Sequence, residues 1–182
     1  MKLLFFSDSH GCAGALRELS KRIAEFAPDR ILFLGDSLYH GPRNAIQGDY
    51  DPNEASALLN AMEKQIIAVR GNCDAEVDQM MLRFPLLETS TTVLAGNQSF
   101  FLSHGHVFGP GHIPSIPQET ILATGHTHVP VIERLPTGHL HLNPGSISIP
   151  KGGSIPSYAT FDGTTLALRD LYTGKTYREL TV

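Results

Sequence analysis

The chain has 182 residues, 41% of them hydrophobic and 18% charged, with a formal net charge of −4. A chain of this size can bury a core without disulfide or metal staples, and its acidic balance argues against a protein that coats extended nucleic acid. Cys12 and Cys73 are the only cysteines, too few for a disulfide framework, and both read as thiols of a reducing, cytoplasmic compartment.

Residues 2–6 form an apolar run that meets Asp8 and His10 at once. It is too short for the core of a signal peptide and reads as a buried strand. No stretch approaches the ~20 apolar residues of a membrane span. Leu16, Leu19, Ile23 and Phe26 recur at helical spacing and mark a core stripe, with Pro28 as the stop. Ile31–Leu34 is a second buried strand that ends in Gly35-Asp36. Residues 37–50 are a polar loop, after which Asp51, Pro52 and Glu54 supply the cap, first position and capping-box acid of a helix. Ile66–Val69 is a third strand, ending at Gly71-Asn72. This alternation predicts parallel strands with helical crossovers.

The second half is richer in strands. Residues 91–95 and 98–103 flank Gly96-Asn97 as a hairpin, and strands are predicted over Ile121–Thr124, Val129–Leu135, Leu140–Asn143, Tyr158–Asp162, Thr165–Leu171 and Thr176–Val182. This half also carries His104, His106, His126 and His128, so two facing sheets are expected to share one site within a single domain over residues 1–182.

Five blocks of ligand-type residues, most of them directly after a predicted strand, stand out: Asp8-Ser9-His10, Gly35-Asp36, Gly71-Asn72-Cys73-Asp74, His104-Gly105-His106 and Gly125-His126-Thr127-His128. Each block alone is weak, since Gly-Asp is an ordinary turn and Asp-x-His is commonly incidental. Together they form one constellation of carboxylate, amide oxygen and imidazole at converging strand ends. That mixture suits manganese, iron, zinc, cobalt or nickel and suits calcium poorly. Asp36 stands alone in its block and is the natural bridge between two ions. Two divalent ions ~3.5–4 Å apart polarise a phosphoryl group and lower the pKa of bound water, so the chemistry implied is in-line attack of a metal-bound hydroxide on a phosphate ester.

The order of these blocks resembles the calcineurin-like metallophosphoesterases, in particular the small bacterial YfcE-type phosphodiesterases. Asn143-Pro144-Gly145-Ser146 and His40-Gly41-Pro42-Arg43-Asn44 resemble that branch as well. The resemblance implies an α/β fold, a four-layer α/β/β/α sandwich with two facing mixed sheets. It implies that Asp8, His10, Asp36 and His128 hold one metal and that Asp36, Asn72, His104 and His126 hold the other, manganese being the leading candidate. It also implies a small phosphodiester substrate and a homo-oligomer. Many members carry histidine where this chain has Cys73, and that histidine helps protonate the leaving group. A thiol is a poorer donor, which predicts a tilt from monoesters toward diesters, with Cys73 lining the pocket and His106 as a substitute acid or phosphate contact. Phosphomonoesterase, nuclease and non-catalytic scaffold are the alternatives on this fold.

Other residues are assigned less. Asp74 reads either as the cap of a helix starting near Ala75 or as a hydrogen-bond partner behind the site. Arg43 and Asn44 read as loop surface, with substrate contact as the alternative, Lys151-Gly152-Gly153 as a plain turn in preference to a phosphate clamp, and His112, His139 and His141 as surface or strand residues. Loops at 37–50, 75–90 and 106–120 are expected to wall the pocket.

Overall fold

The computed structural model describes residues 1–182. Strands β1 (Leu3–Phe6), β2 (Arg30–Phe33) and β3 (Ile66–Ala68) lie side by side and parallel, so their C-terminal ends share one edge. Helix α1 (Ala13–Phe26) connects β1 to β2 and buries Leu16 and Leu19. It ends where Ala27 turns left-handed at φ 49°, its N–H returning to the Ile23 carbonyl, just before Pro28. Helix α2 (Pro52–Asn60) starts at the predicted cap and proline, the Asp51 carboxylate accepting from the Glu54 N–H at 2.9 Å, but Glu54 does not act as the capping-box acid: it pairs with Arg17, and the Asp51 N–H is taken by the Gly11 carbonyl. Strands β9 (Ser157–Phe161), β10 (Thr165–Asp170) and β11 (Thr176–Thr181) complete a six-stranded mixed sheet, joined antiparallel through β9 to β1.

The second sheet has five strands, β4 (Ser90–Ala95), β5 (Gln98–Ser103), β6 (Ile121–Ala123), β8 (Leu140–Asn143) and β7 (Val131–Arg134), in that spatial order. β5, β6 and β8 run parallel and the outer pairs antiparallel. The predicted strand over Val129–Leu135 is shorter than expected because His128 adopts φ 60° and Pro130 follows within two residues. Pairing starts only at Val131.

Side-chain alternation builds two cores. Leu4, Phe6, Ile31 and Phe33 face the helices and pack with Leu16, Leu19 and Leu59. Leu3, Phe5 and Leu32 face the other way and pack with Phe100, Leu102, Ile121 and Leu142 of the second sheet. Phe5 and Phe100 meet with ring centroids 5.3 Å apart. Each such aliphatic or aromatic side chain contributes about 1.5–3 kcal/mol by leaving water, so the inter-sheet layer fixes the two strand-end edges against each other. The helices α1, α2 and α3 (Glu76–Met81) or their flanking residues all contribute to the layer outside the first sheet. The outer layer on the second sheet contains no helix. There Phe101, Leu122 and His141 form a buried row across β5, β6 and β8, and Phe108 of the irregular segment 105–120 packs on Phe101. No helix is long and apolar enough to cross a membrane.

Candidate metal centre

The blocks at the ends of β1, β2, β3, β5 and β6 meet in the gap between the two sheets. Asp8, His10, Asp36, His104 and His128 are all buried there, with Asp8 and His104 fully so. Three histidines are oriented in the same way. His10 Nδ1 is 2.8 Å from the Tyr39 carbonyl, His104 Nδ1 is 2.6 Å from the Leu34 carbonyl, and His128 Nδ1 is 2.5 Å from the Ile149 carbonyl. A carbonyl only accepts, so each Nδ1 carries its proton and each Nε2 is the atom left for the centre.

Those Nε2 atoms converge on the two aspartates. His128 Nε2 is 3.2 Å from Asp8 Oδ1, and His10 Nε2 is 3.7 Å from Asp8 Oδ1 and 3.6 Å from Asp36 Oδ2. His104 Nε2 is 3.5 Å from Asp36 Oδ2 and 3.0 Å from Asn72 Oδ1. His10 and His128 bring their Nε2 atoms within 3.4 Å of each other. Asp8 Oδ1 is buried with no hydrogen-bond partner. Burial opposes the charge on Asp8, yet the imidazoles of His128 and His104 beside it hold its carboxyl below the usual range. Asp36 is held low against burial chiefly by the hydrogen bond to His104 and that residue's charge. Burial pulls His104 down, but Asp36 and Asp8 outweigh it and raise the imidazole to about 9. A proton on His104 balances the carboxylates where a cation would otherwise do so. The orphaned oxygen and the convergent acceptor nitrogens therefore fit divalent metal ions. Groups Asp8–His10–His128 and Asp8–Asp36–His104 each place their ligand atoms within 4.8 Å of one another.

The backbone is bent to present these groups. Asp8, His10, Asp36, His126 and His128 have φ of 56°, 45°, 59°, 67° and 60°, a region that costs ordinary residues energy and clusters at functional sites. Asp8 is pinned by its carbonyl, which accepts from Ser146 Oγ at 2.8 Å and Ser148 Oγ at 2.7 Å. Its Oδ2 accepts from the His126 N–H at 3.1 Å. Asp74 is not a helix cap. Its buried carboxylate accepts from the N–H groups of Asp36 (2.9 Å), Ser37 (2.7 Å) and Gly71 (2.7 Å) and from Ser37 Oγ (2.6 Å), so it ties the second and third blocks together. Helix α3 is instead capped by Asp78, which accepts from the Ala75 N–H. Gly71 has to be glycine, because a β-carbon there would overlap Asp36 Oδ1.

A cleft of about 950 Å³ opens over the centre. His10, Asp36, Asn72, His126 and His128 line it, together with Cys73. Arg43, Asn44 and Lys151, read from sequence as loop surface and turn, line the cleft as well, and Arg70 adds a third cation. Arg70 is adjacent to the Gly71-Asn72 block, a signal available in the sequence; Ser148 had none. His106 is not among the lining residues. Its ring centroid lies 5.4 Å from that of His104 and 6.1 Å from that of His126, and the rest of segment 106–120 is also absent from the cleft wall. His141 is a buried strand residue whose Nε2 lies 2.8 Å from Thr124 Oγ1.

Comparison with known proteins agrees with this geometry. Residues 1–165 match the family model of the calcineurin-like phosphoesterase superfamily domain. Phosphodiesterase YfcE of Escherichia coli strain K12 is 46% identical over 169 residues, which span 92% of this chain and 91% of that protein. The probable metallophosphoesterase YsnB of Bacillus subtilis is 28% identical over 166 residues, 87% and 82% of the two chains. The solved structure of the E. coli phosphoesterase YfcE superposes with a TM-score of 0.96 at 42% identity, covering all of both chains. The strand-end blocks, the two facing mixed sheets and these matches together place the chain in the calcineurin-like phosphoesterase superfamily.

Proposed function

We propose that the protein is a metal-dependent phosphodiesterase acting on small phosphate diesters, with residues 1–182 as one catalytic domain. The observation that carries this reading is the convergence of His10, His104 and His128 Nε2 on Asp8 and Asp36, around a buried carboxylate oxygen with no partner. Asp8, His10, Asp36 and His128 would hold one ion. Asp36, Asn72, His104 and His126 would hold the second, with Asp36 common to both. Manganese is the leading candidate, and the donor set also accepts iron, zinc, cobalt or nickel. Two such ions, when bound, neutralise phosphoryl charge and lower the pKa of water.

The chain's own groups supply the rest. Arg43, Arg70 and Lys151 ring the cleft and favour an anionic substrate. Cys73 lines the cleft as a neutral thiol, its pKa pushed up to about 12 by burial and by Asp36. A neutral, weakly acidic group beside the phosphate supports preference for diesters over monoesters, because it offers no cation to the second charge of a monoester and little help to a poor leaving group. His106 is exposed, with its ring beside those of His104 and His126, and its candidate role is that of substitute acid or phosphate contact. All seven ligand-type residues are present in the sequence, which supports an enzyme over a scaffold. Cytoplasmic location and homo-oligomerisation complete the proposal; two free thiols support the first, and the second rests on the resemblance and is tested by light scattering.

The test is hydrolysis of bis(p-nitrophenyl) phosphate and p-nitrophenyl phosphate by chelated protein, before and after manganese is added. Restored turnover favouring the diester supports the proposal. Turnover favouring the monoester reassigns the enzyme as a phosphatase. No turnover despite confirmed metal binding overturns the catalytic reading.

A further inference from the structure

A second opening of about 350 Å³ adjoins the cleft. The two share Tyr39, Cys73 and Ala75 as a common wall, but their chemistry differs. The cleft is polar and ringed by cations, whereas Leu38, Tyr50, Pro52, Val77 and Met81 make the second opening apolar. Its one charged group, Asp78, is buried and accepts from the Ala75 N–H at 2.7 Å. Val77 and Met81 on α3 and Tyr39 on the facing loop remain 61%, 36% and 41% exposed. Apolar side chains held open beside a site for a charged group call for an occupant.

We propose that this opening is a subsite for one aromatic ester arm of the substrate, with the phosphate held in the adjoining cleft. The inference rests on the phosphodiesterase reading and narrows it to diesters that carry at least one flat, weakly polar ring. Tyr39, Tyr50 and Pro52 offer rigid flat surfaces, and Met81 supplies a polarisable sulfur that packs on ring edges. The lining has few free polar atoms, which disfavours an arm dense in hydrogen-bonding groups. Cys73 stands at the junction. Its short, uncharged side chain leaves the passage open and apolar, and the larger imidazole found there in many superfamily members would narrow and polarise it.

The experiment measures competitive inhibition of the manganese-loaded enzyme, with bis(p-nitrophenyl) phosphate as the reporter substrate. Benzylphosphonate, ethylphosphonate and hexylphosphonate share one anionic head and differ only in the arm. Benzylphosphonate is expected to bind about tenfold more tightly than ethylphosphonate, the gain from burying a ring. In Met81→Ser and Val77→Ser, both at partly exposed positions, that ratio is expected to fall below about threefold, with the ethylphosphonate inhibition constant unchanged. Equal inhibition by the benzyl and ethyl compounds, or an unchanged ratio in both variants, overturns the subsite while leaving the enzyme reading intact. Stronger inhibition by hexylphosphonate than by benzylphosphonate overturns the assignment of an aromatic occupant. Absence of any turnover by the loaded wild-type enzyme sinks the phosphodiesterase reading, and the subsite with it.

Discussion

Replacing Asp74 by asparagine changes one atom in a residue that touches no proposed metal position, yet the structure predicts a large effect. Oδ1 accepts from the Ser37 N–H and Ser37 Oγ, while Oδ2 accepts from the N–H groups of Asp36 and Gly71. An asparagine keeps one oxygen and turns an NH₂ group toward the other pair of donors. The less costly orientation turns the NH₂ toward Ser37, whose hydroxyl can rotate to accept while the Ser37 N–H loses its acceptor, and the residue is only 3% exposed, so water cannot readily replace it. A hydrogen bond to a charged acceptor is worth about 1.5–3 kcal/mol and those that remain lose their charge assistance, so the variant should lose about 2–4 kcal/mol of stability. That loss falls within ordinary domain stability, so the protein should still fold. The assay is urea unfolding of metal-free wild type and variant, followed by circular dichroism and read from the midpoint at matched slopes. A loss under about 1 kcal/mol would refute the claim that Asp74 ties the second and third blocks together.

Asp36→Ala should remove both metals, seen as a fall from two equivalents to none in metal content; one retained equivalent would refute the bridging assignment. Cys73→His should raise the monoester-to-diester ratio of kcat/KM by roughly tenfold or more, as a positioned acid does, and an unchanged ratio would show that this position does not set leaving-group preference. His104 is raised to about 9 in the metal-free protein, above the ~6.5 of an unfolded imidazole. The stability this adds is therefore fully present below pH ~6.5 and lost as pH rises through about 9. Metal loading within that window must expel the proton, so calorimetry at pH ~7.5 in buffers of different ionisation enthalpy should show about one proton released, falling toward zero above the raised pKa. Ser146→Ala leaves the N–H groups of Ser148 and Ile149 without their acceptor and Asp8 with one clamp in place of two. It should cost about 1–3 kcal/mol in thermal or urea unfolding and weaken manganese binding as well; unaltered affinity would mean that Ser148 holds Asp8 alone.

Periodicity in the chain carried the strands and the first two helices well, because apolar runs bounded by Gly, Pro and Asp leave few alternatives. Residues 98–103 pair as predicted, and Asp51 and Pro52 start the helix as read, but the capping box is not closed: the Asp51 N–H bonds the Gly11 carbonyl and Glu54 pairs with Arg17. Strand order was not legible. β9 returns to the first sheet beside β1 from a distant part of the chain, and nothing local at Ser157–Phe161 says which sheet it joins. The outer layer on the second sheet also escaped pattern reading, since Phe101, Leu122 and His141 are covered by irregular chain with no repeat to detect. At the site, residue types announced the ligand blocks, but the supports lay in groups whose type is ordinary. For Asp74 the hydrogen bonds decided between the two readings the sequence allowed, cap or partner behind the site, and Ser146 acquired a role only through its hydrogen bonds. Arg43 and Lys151 face the cleft because their loops fold over it, a fact of tertiary geometry alone.

The conformational cost of the centre explains why those supports are so numerous. Of the six non-glycine residues with positive φ, five are Asp8, His10, Asp36, His126 and His128, and the sixth, Ala27, ends a helix. At about 1 kcal/mol each, the five together cost about 5 kcal/mol, comparable to the whole stability of a marginal domain. Local preference would flatten these turns and scatter the ligands. The Asp74 carboxylate, the Ser146 and Ser148 hydroxyls and the three carbonyls behind His10, His104 and His128 oppose that tendency before any ion arrives. A centre held in this way needs little rearrangement to bind metal, so binding free energy is available for orienting the substrate instead of ordering the protein.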